Sequence, residues 1–274
     1  MRGASPTRGR VLATTLSAAG VALVHASASA AARGRAQALV ARLDRPAAPA
    51  ASDRPLPDLV RAYVERVAGR PAPRLVCLRQ RAEMRLGPDR PWHPVEAAQT
   101  IKVREPGFVW VAEMALAPLL SVRILDSYVD GQGRADVRLF GSLPVARAAG
   151  PQIGKGELMR YLAELPWAPQ AMLHNPRLRW RALDAATVEV SADSAGGPAR
   201  VRLRFENGEI VGAEADDRPR ILGRRAVPTA WRGRFYDHRE LNGWRIPTWG
   251  EVGWIIGGQL VTVWRGLVTE YGTA

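Results

Sequence analysis

The sequence has a single cysteine, Cys77, in 274 residues. A lone thiol excludes an intrachain disulfide and a cysteine-built metal cluster. Cys77 falls in an alternating strand pattern, too far along the chain for lipid acylation, and reads as an ordinary strand residue. Histidine is nearly as scarce. His25, His93, His174 and His238 lack metal-ligand spacing, so no metal site is expected. GxSxG, HExxH and GxGxxG are absent. Gly154-Lys155-Gly156 lacks the hydroxyl and spacing of a Walker loop, although a lysine at a helix start can hold an anion. Asp130-Gly131-Gln132-Gly133 lacks the ligand spacing and the terminal Glu of an EF-hand. With these signatures go the common hydrolase, metalloenzyme and dinucleotide classes. No cofactor is expected, and binding is favoured over catalysis.

Lysine is almost missing too. Lys102 and Lys155 are the only two among 39 basic residues, which stand against 26 acids for a net charge of +13. Such an arginine skew, with heavy Ala, Gly and Pro, reads as compositional bias. Eight arginines before residue 55 face only Asp44 and Asp53, so the N-terminal part holds close to half of the excess. No RNP, helix-turn-helix or zinc-finger pattern is present, and nucleic acid is not an expected partner. An anionic membrane surface is a second possible partner for a chain this basic.

No strongly apolar run is present either. Arg2, Arg8 and Arg10 precede an uncharged stretch, Val11 to Ala32, rich in Ala, Ser, Thr and Gly. A basic start, a weakly apolar middle and small-residue sites such as Ala28-Ser29-Ala30 predict a signal peptide or membrane anchor over 1–32. The body would then sit in the cell envelope, outside the cytoplasm. Residues 33–57 read as a short helix followed by a Pro/Ala-rich linker, PAAPAASDRPLP. Residues 58–274 read as one β-rich domain. It opens with a helix whose apolar side is Leu59, Val60, Tyr63, Val64 and Val67, ended by Gly69 and Pro71.

What the body has in quantity is alternation. Val76, Leu78, Ala82 and Met84 share one strand face, opposite Cys77, Arg79, Arg81, Glu83 and Arg85. Phe108 to Leu116 is apolar on both faces, which predicts a strand covered on both sides. Asp130-Gly131, Asn207-Gly208, Asn242-Gly243 and Gly257-Gly258 predict hairpin turns. Roughly ten antiparallel strands result. Arg134 to Leu143 reads as one return strand, and Asp216 to Pro228 as a polar, irregular loop. Amid them Gly156 to Leu165 carries a helical stripe of Leu158, Tyr161, Leu162 and Leu165, closed by Pro166 and Trp167. The fold class is α+β, mainly β: a large curved antiparallel sheet, half-barrel-like, packed on one central helix.

Two groups of residues carry candidate chemistry. Glu157, Arg160 and Glu164 lie on one face of that helix. The two carboxylates, the weak catalytic candidates, would stand about 10 Å apart along the axis, workable across a substrate in a hydrolase. The plainer reading is a surface salt-bridge ladder. The second group alternates aromatic and charged residues near the C-terminus. Together with the helix it predicts a ligand site of Trp110, Arg160, Tyr161, Trp167, Trp231, Arg245, Trp249 and Trp254. A lipid-like or other amphipathic small molecule fits it, with Arg160 or Arg245 on an anionic head. The plainer reading is a filled core with charges facing solvent.

Several runs recur together: Arg160-Tyr161-Leu162-Ala163-Glu164-x-x-Trp167-x-Pro169-x-Ala171, Phe108-Val109-Trp110-x-Ala112, Asp126-x-Tyr128-x-Asp130-Gly131-x-Gly133, Trp231-x-Gly233-x-Phe235, Asn242-Gly243-x-Arg245-Ile246-Pro247 and Gly250-Glu251-Val252-x-Trp254. On these the chain resembles a family of bacterial envelope-associated proteins, a domain of unknown function, over roughly 55–272. The resemblance implies no activity. Ala168 departs from it, where an aromatic is expected, which implies a more open pocket. The inferred architecture also looks like the half-barrel of lipoprotein carriers.

Overall fold

Thirteen strands join into one antiparallel sheet, ordered β6-β5-β4-β3-β2-β1-β13-β12-β11-β10-β9-β8-β7. The computed structural model describes residues 7–46, 55–67, 72–118, 120–223 and 225–274. Residues 47–54 of the expected linker, and Gly69 and Pro71, lie outside the described residues. Neighbours in the sheet are neighbours in sequence except at one seam, where β1 (Leu75–Met84) pairs with β13 (Gln259–Thr273). The first and last strands therefore close the middle of the sheet, and the free edges are β6 (Leu143–Ala149) and β7 (Arg179–Ala182).

Hairpin chemistry sets the register. Asp130 and Gly131, Asn207 and Gly208, Asn242 and Gly243, and Gly257 and Gly258 all have positive φ, between 49° and 80°. Left-handed backbone at both central residues matches the twist of the flanking strands. All four expected turns are present. They join β4 (Leu120–Val129) to β5 (Gln132–Leu139), β9 (Gly197–Glu206) to β10 (Glu209–Leu222), β11 (Arg225–Leu241) to β12 (Trp244–Ile256), and β12 to β13.

Two expectations about strands are corrected. The return strand after residue 134 stops at Leu139, because Phe140 and Gly141 both turn left-handed (φ 51° and 68°), and β6 follows as a separate strand. The predicted loop 216–228 is instead the outer end of the β10–β11 hairpin, paired from Arg218↔Thr229 to Leu222↔Arg225. Polar side chains do not prevent a strand when the backbone groups have a ladder partner.

Helices cover both faces of the curl. α1 (Thr7–Leu43) lays Leu39, Val40 and Leu43 over Val109, Val111, Leu125 and Val129 on the outer face of β3 (Phe108–Ala117) and β4. Arg42 fixes its end by bonding Asp130 at 2.6 Å. The two-sided apolar pattern of β3 is explained by this cover outside and the main core inside. Among the described residues no helix is long and apolar enough to cross a membrane. α2 (Asp58–Val67), α3 (Pro151–Ala163), a 3-10 turn (Leu165–Trp167) and α4 (Pro169–His174) lie on the inner side. The sheet thus packs on several helical segments rather than on one.

The central helix starts earlier than its stripe suggests. Pro151 occupies the first turn, where its fixed φ suits the helix and its missing N–H costs nothing. Lys155 is therefore inside the helix, not at a free N-terminus, and its Nζ pairs with Asp217 at 2.5 Å. Leu158, Met159, Tyr161 and Leu162 are fully buried, each stabilising the fold by roughly 1.5–3 kcal/mol. Close approach explains two glycines. A Cβ on Gly133 of β5 would stand 2.6 Å from Gly154 Cα, and one on Gly196, in the β8–β9 turn, would overlap the Pro151 carbonyl. Both arms of the sheet therefore reach the first turns of α3, which fills the gap between them.

Candidate functional site

The inward rows of β1 to β4 are apolar with polar interruptions. Gln80 lies between Leu78 and Ala82, Gln99 between Ala97 and Ile101 of β2 (His93–Lys102), and Asp126 between Ile124 and Tyr128. In register, Gln99 is opposite Trp110 and Trp110 opposite Asp126. Polar groups in such a row need internal partners. They form a continuous chain. Trp110 Nε1 donates to Gln80 Oε1 at 2.8 Å, Gln80 Nε2 to Gln99 Oε1 at 3.2 Å, and Gln99 Nε2 to Glu164 Oε2 at 2.5 Å. Arg160 completes it, donating from Nε to Glu164 Oε1 and from Nη1 to Asp126 Oδ2, both at 2.8 Å. Its guanidinium also lies 4.7 Å from the Trp110 ring centroid and 5.0 Å from that of Phe108.

The expected surface ladder is corrected here. The Arg160 and Glu164 side chains are only 15% and 13% exposed, because the helix turns this face into the curl. Arg160 takes Asp126 as its second partner rather than Glu157. Burial disfavours the Arg160 charge, but Glu164 and Asp126 more than offset this and hold its pKa above the ordinary value. Glu157 belongs to the same cluster, with Oε2 buried and unpartnered among the described residues. Burial, then the nearby Asp126 charge, pushes its carboxyl up to about 8. Burial likewise raises Asp126, against the pull of Arg160 and Arg218.

The opposite wall comes from β10 to β13. Trp231 and Trp254 face each other across β11 and β12. Arg218 stands over both, 4.8 Å and 5.4 Å from their centroids. A β-bulge delivers it: Ala215 pairs with Trp231, but Arg218 pairs with Thr229, so β10 carries one extra residue. Without the bulge Asp217 would point inward. The bulge re-aims the strand and puts a cation there instead. Trp167 closes the end of the site, donating from Nε1 to Pro247 O at 2.9 Å and meeting Phe235 and Trp264 edge-on.

Between the walls lies a cavity of about 230 Å³. Trp110, Asp126, Arg160, Glu164, Trp167, Arg218, Trp231, Phe235, Trp254 and Trp264 are among its lining residues. Of the residues predicted for the ligand site, Trp110, Arg160, Trp167, Trp231 and Trp254 come together here. Tyr161, Arg245 and Trp249 do not. Tyr161 is buried elsewhere, donating to Lys102 O and accepting from Asn175. Arg245 is exposed and pairs with Glu209 at 2.7 Å. Trp249 is turned outward: a Cβ on the next residue, Gly250, would lie 3.2 Å from Trp167, so Gly250 faces in and Trp249 faces out. Glu164 lines the cavity but Glu157 is not among the lining residues. Ala168 is fully buried in the core and does not open the pocket. Gln80, Gln99 and Asp126 were missed as site residues, although a polar residue inside an apolar row is the signal that marks them.

Fold and site together define a class: an antiparallel sheet curled into a half-barrel, with helices inside it and a small aromatic cavity between. The chain belongs to a family of unknown function, DUF6544, which matches residues 47–266. The sequence resemblance to a domain of unknown function agrees with this. No curated protein matches the chain. Similar solved structures include a domain assigned to outer membrane lipoprotein sorting from Vibrio parahaemolyticus, at 9% identity, covering 79% of this chain and 91% of that one, TM-score 0.43. A DUF1329 family protein from Desulfovibrio piger has 10% identity, coverage of 79% and 90%, and TM-score 0.44. A LolA superfamily protein from Nitrosomonas europaea has 9% identity, coverage of 79% and 92%, and TM-score 0.37.

Proposed function

We propose that this is a cell-envelope protein that binds a small amphipathic molecule, without transforming it, between α3 and the inner face of the sheet. The observation that carries this is the cavity of about 230 Å³, walled by tryptophan rings and bordered by buried ionic groups. An apolar cavity of about 150 Å³ holds benzene, and drug-sized ligands take about 300–1,000 Å³. The volume here suits a ring or short chain, or one end of a longer one. The basic and weakly apolar leader supports the envelope setting. Against a hydrolase, both Glu164 oxygens are already hydrogen-bonded and Glu157 does not line the cavity, so the pair does not straddle a substrate. Native mass spectrometry of the purified full chain, paired with tryptophan-fluorescence titration of small acids, alcohols and amines, tests the reading. One bound molecule per chain, with saturable fluorescence change, supports it. A clean apo mass and no response to any amphiphile sinks it.

One observation favours a second reading, docking on an anionic membrane surface. Between Asp217 and Asp237, and between Glu251 and Glu270, the sequence has no acidic residue. The β10–β11 tip exposes Ile221, Leu222 and Val227. Arg220 and Arg225 flank them, with no ion-pair partner among the described residues. Apolar residues ringed by cations suit anionic lipid. Co-flotation with anionic vesicles, lost in high salt and in Leu222→Asp, supports it; equal recovery with zwitterionic vesicles counts against it.

A further inference from the structure

Arg160 and Arg218 share one charge cluster but stand in different states. Arg160 is neutralised by direct contact with two carboxylates. Arg218 has no carboxylate within ion-pair distance among the described residues; its Nε donates to the Gly156 carbonyl at 3.2 Å. That bond and the two indole faces fix the guanidinium plane, while the side chain lines the cavity. A guanidinium so held presents its remaining N–H donors without further loss of side-chain freedom. We propose, resting on the cavity being a ligand site, that the ligand is a monoanionic amphiphile whose carboxylate is received by the terminal nitrogens of Arg218.

The alternatives fit the walls less well. An ammonium head needs open aromatic faces. Here the faces of Trp110, Trp231 and Trp254, the rings beside the ionic groups, are already covered by the protein's own guanidiniums, and Trp167 packs edge-on with the other two lining rings, Phe235 and Trp264. A dianion such as a phosphate monoester would bring two charges to the one cation that both lines the cavity and lacks an ion-pair partner among the described residues. Its second charge would add to Asp126 and Glu164, which already outnumber Arg160 by one. A neutral head would leave Arg218 with its charge met only at a distance. Burial holds the Arg218 pKa below the ordinary arginine value, with Glu157 pulling the other way, the reverse of the net shift at Arg160. That contrast is what a cation short of a contacting anion shows. Glu157, protonated up to about pH 8, does not repel an incoming carboxylate at neutral pH.

The test titrates the full chain with three probes of matched chain length, octanoate, octanol and octylammonium, followed by tryptophan fluorescence and calorimetry. Octanoate is expected to bind about tenfold or more tighter than octanol, the scale of one charge-assisted hydrogen-bonded contact. Octylammonium is expected to bind more weakly than octanol. Arg218→Gln should abolish the preference, so that octanoate binds this variant no more tightly than octanol does. Equal binding of octanoate and octanol to the wild-type chain overturns the head-group assignment and leaves the cavity reading standing. Failure of all three probes overturns both. The wild-type comparison decides the matter even where Arg218→Gln does not fold. A folded Arg218→Gln that binds octanoate as tightly as wild type also overturns the assignment.

Discussion

Asp126 of β4 and Arg160 of α3 meet at 2.8 Å, with side chains only 20% and 15% exposed. The contact ties the helix to the first arm of the sheet through a group that also holds Glu164. Removing the cation from such a site leaves Asp126 and Glu164 buried without their ion-pair partner. Arg160→Met should therefore destabilise the protein by about 3–5 kcal/mol. Protonation relieves unpaired carboxylates, so the loss should be smaller at pH 5 than at pH 8. Urea unfolding at the two pH values checks this. A loss below about 1 kcal/mol at pH 8 would show that the pair is solvated as a surface bridge is.

Glu157 should make stability depend on pH in the direction opposite to that of an ordinary paired carboxylate. Its folded pKa is raised to about 8, from an ordinary value of 4.5. The folded state thus holds a proton that the unfolded chain has lost. Stability contributed by this group is full below about pH 4.5, falls as pH rises to about 8, and is flat above. Glu157→Gln, which stays neutral, should match wild type near pH 4. At pH 8 to 9 it should be more stable by about 4 kcal/mol, on the order of ten degrees in Tm. Thermal unfolding of both chains across this range is the measurement, and parallel curves would refute the assignment.

Gly133 and Gly154 bring backbone against backbone where β5 meets α3. A Cβ on Gly133 would stand 2.6 Å from Gly154 Cα and 2.8 Å from its nitrogen. No flexible side chain is there to yield, so the helix itself has to shift. Gly133→Ala should cost about 3 kcal/mol, the upper end of the overpacking range. Gly131→Ala is a useful contrast. It has open space but a φ of 75°, so its smaller cost, about 1 kcal/mol, comes from the backbone alone. Denaturant midpoints of the two variants order the effects, and equal costs would show that the helix does not seat on β5 as described.

Much of this architecture was readable because its causes are local. The four hairpin turns need left-handed backbone, and only residues such as Asn, Asp and Gly adopt it readily. The doubly apolar β3 required cover on both faces, and α1 and the core supply it. Strand β6 was not readable, because Leu143 to Ala149 is an edge strand with hardly any buried residue and so shows no alternation. Arg218 was not assigned to the cavity because a single extra residue in β10 reverses which side chains face in. The same kind of limit explains Trp249 and Arg245. A run rich in aromatic and charged residues gives no sign of which parity faces the core. The interrupted rows at Gln80, Gln99 and Asp126 did carry a signal, but their common partner, α3, is brought in by tertiary closure alone.

That parity is itself testable. Phe235 pairs with Gly250 on the inner face, and Tyr236 with Trp249 on the outer, where Tyr236 is 41% exposed and bonds Glu251. Trp254 lies on the inner face, opposite Trp231 and under Arg218. Truncating a ring that walls the cavity removes both apolar contact and the plane that fixes Arg218. Trp254→Ala should thus weaken octanoate binding by about tenfold or more, on the scale of a buried aromatic anchor. Trp249→Ala and Arg245→Ala remove residues of similar chemistry from the other face and should leave the affinity within about twofold. Calorimetric titration of the three variants, after circular dichroism confirms their fold, separates the two faces. Loss of binding in Trp249→Ala with none in Trp254→Ala would move the ligand to the outer surface and invalidate the cavity as its site.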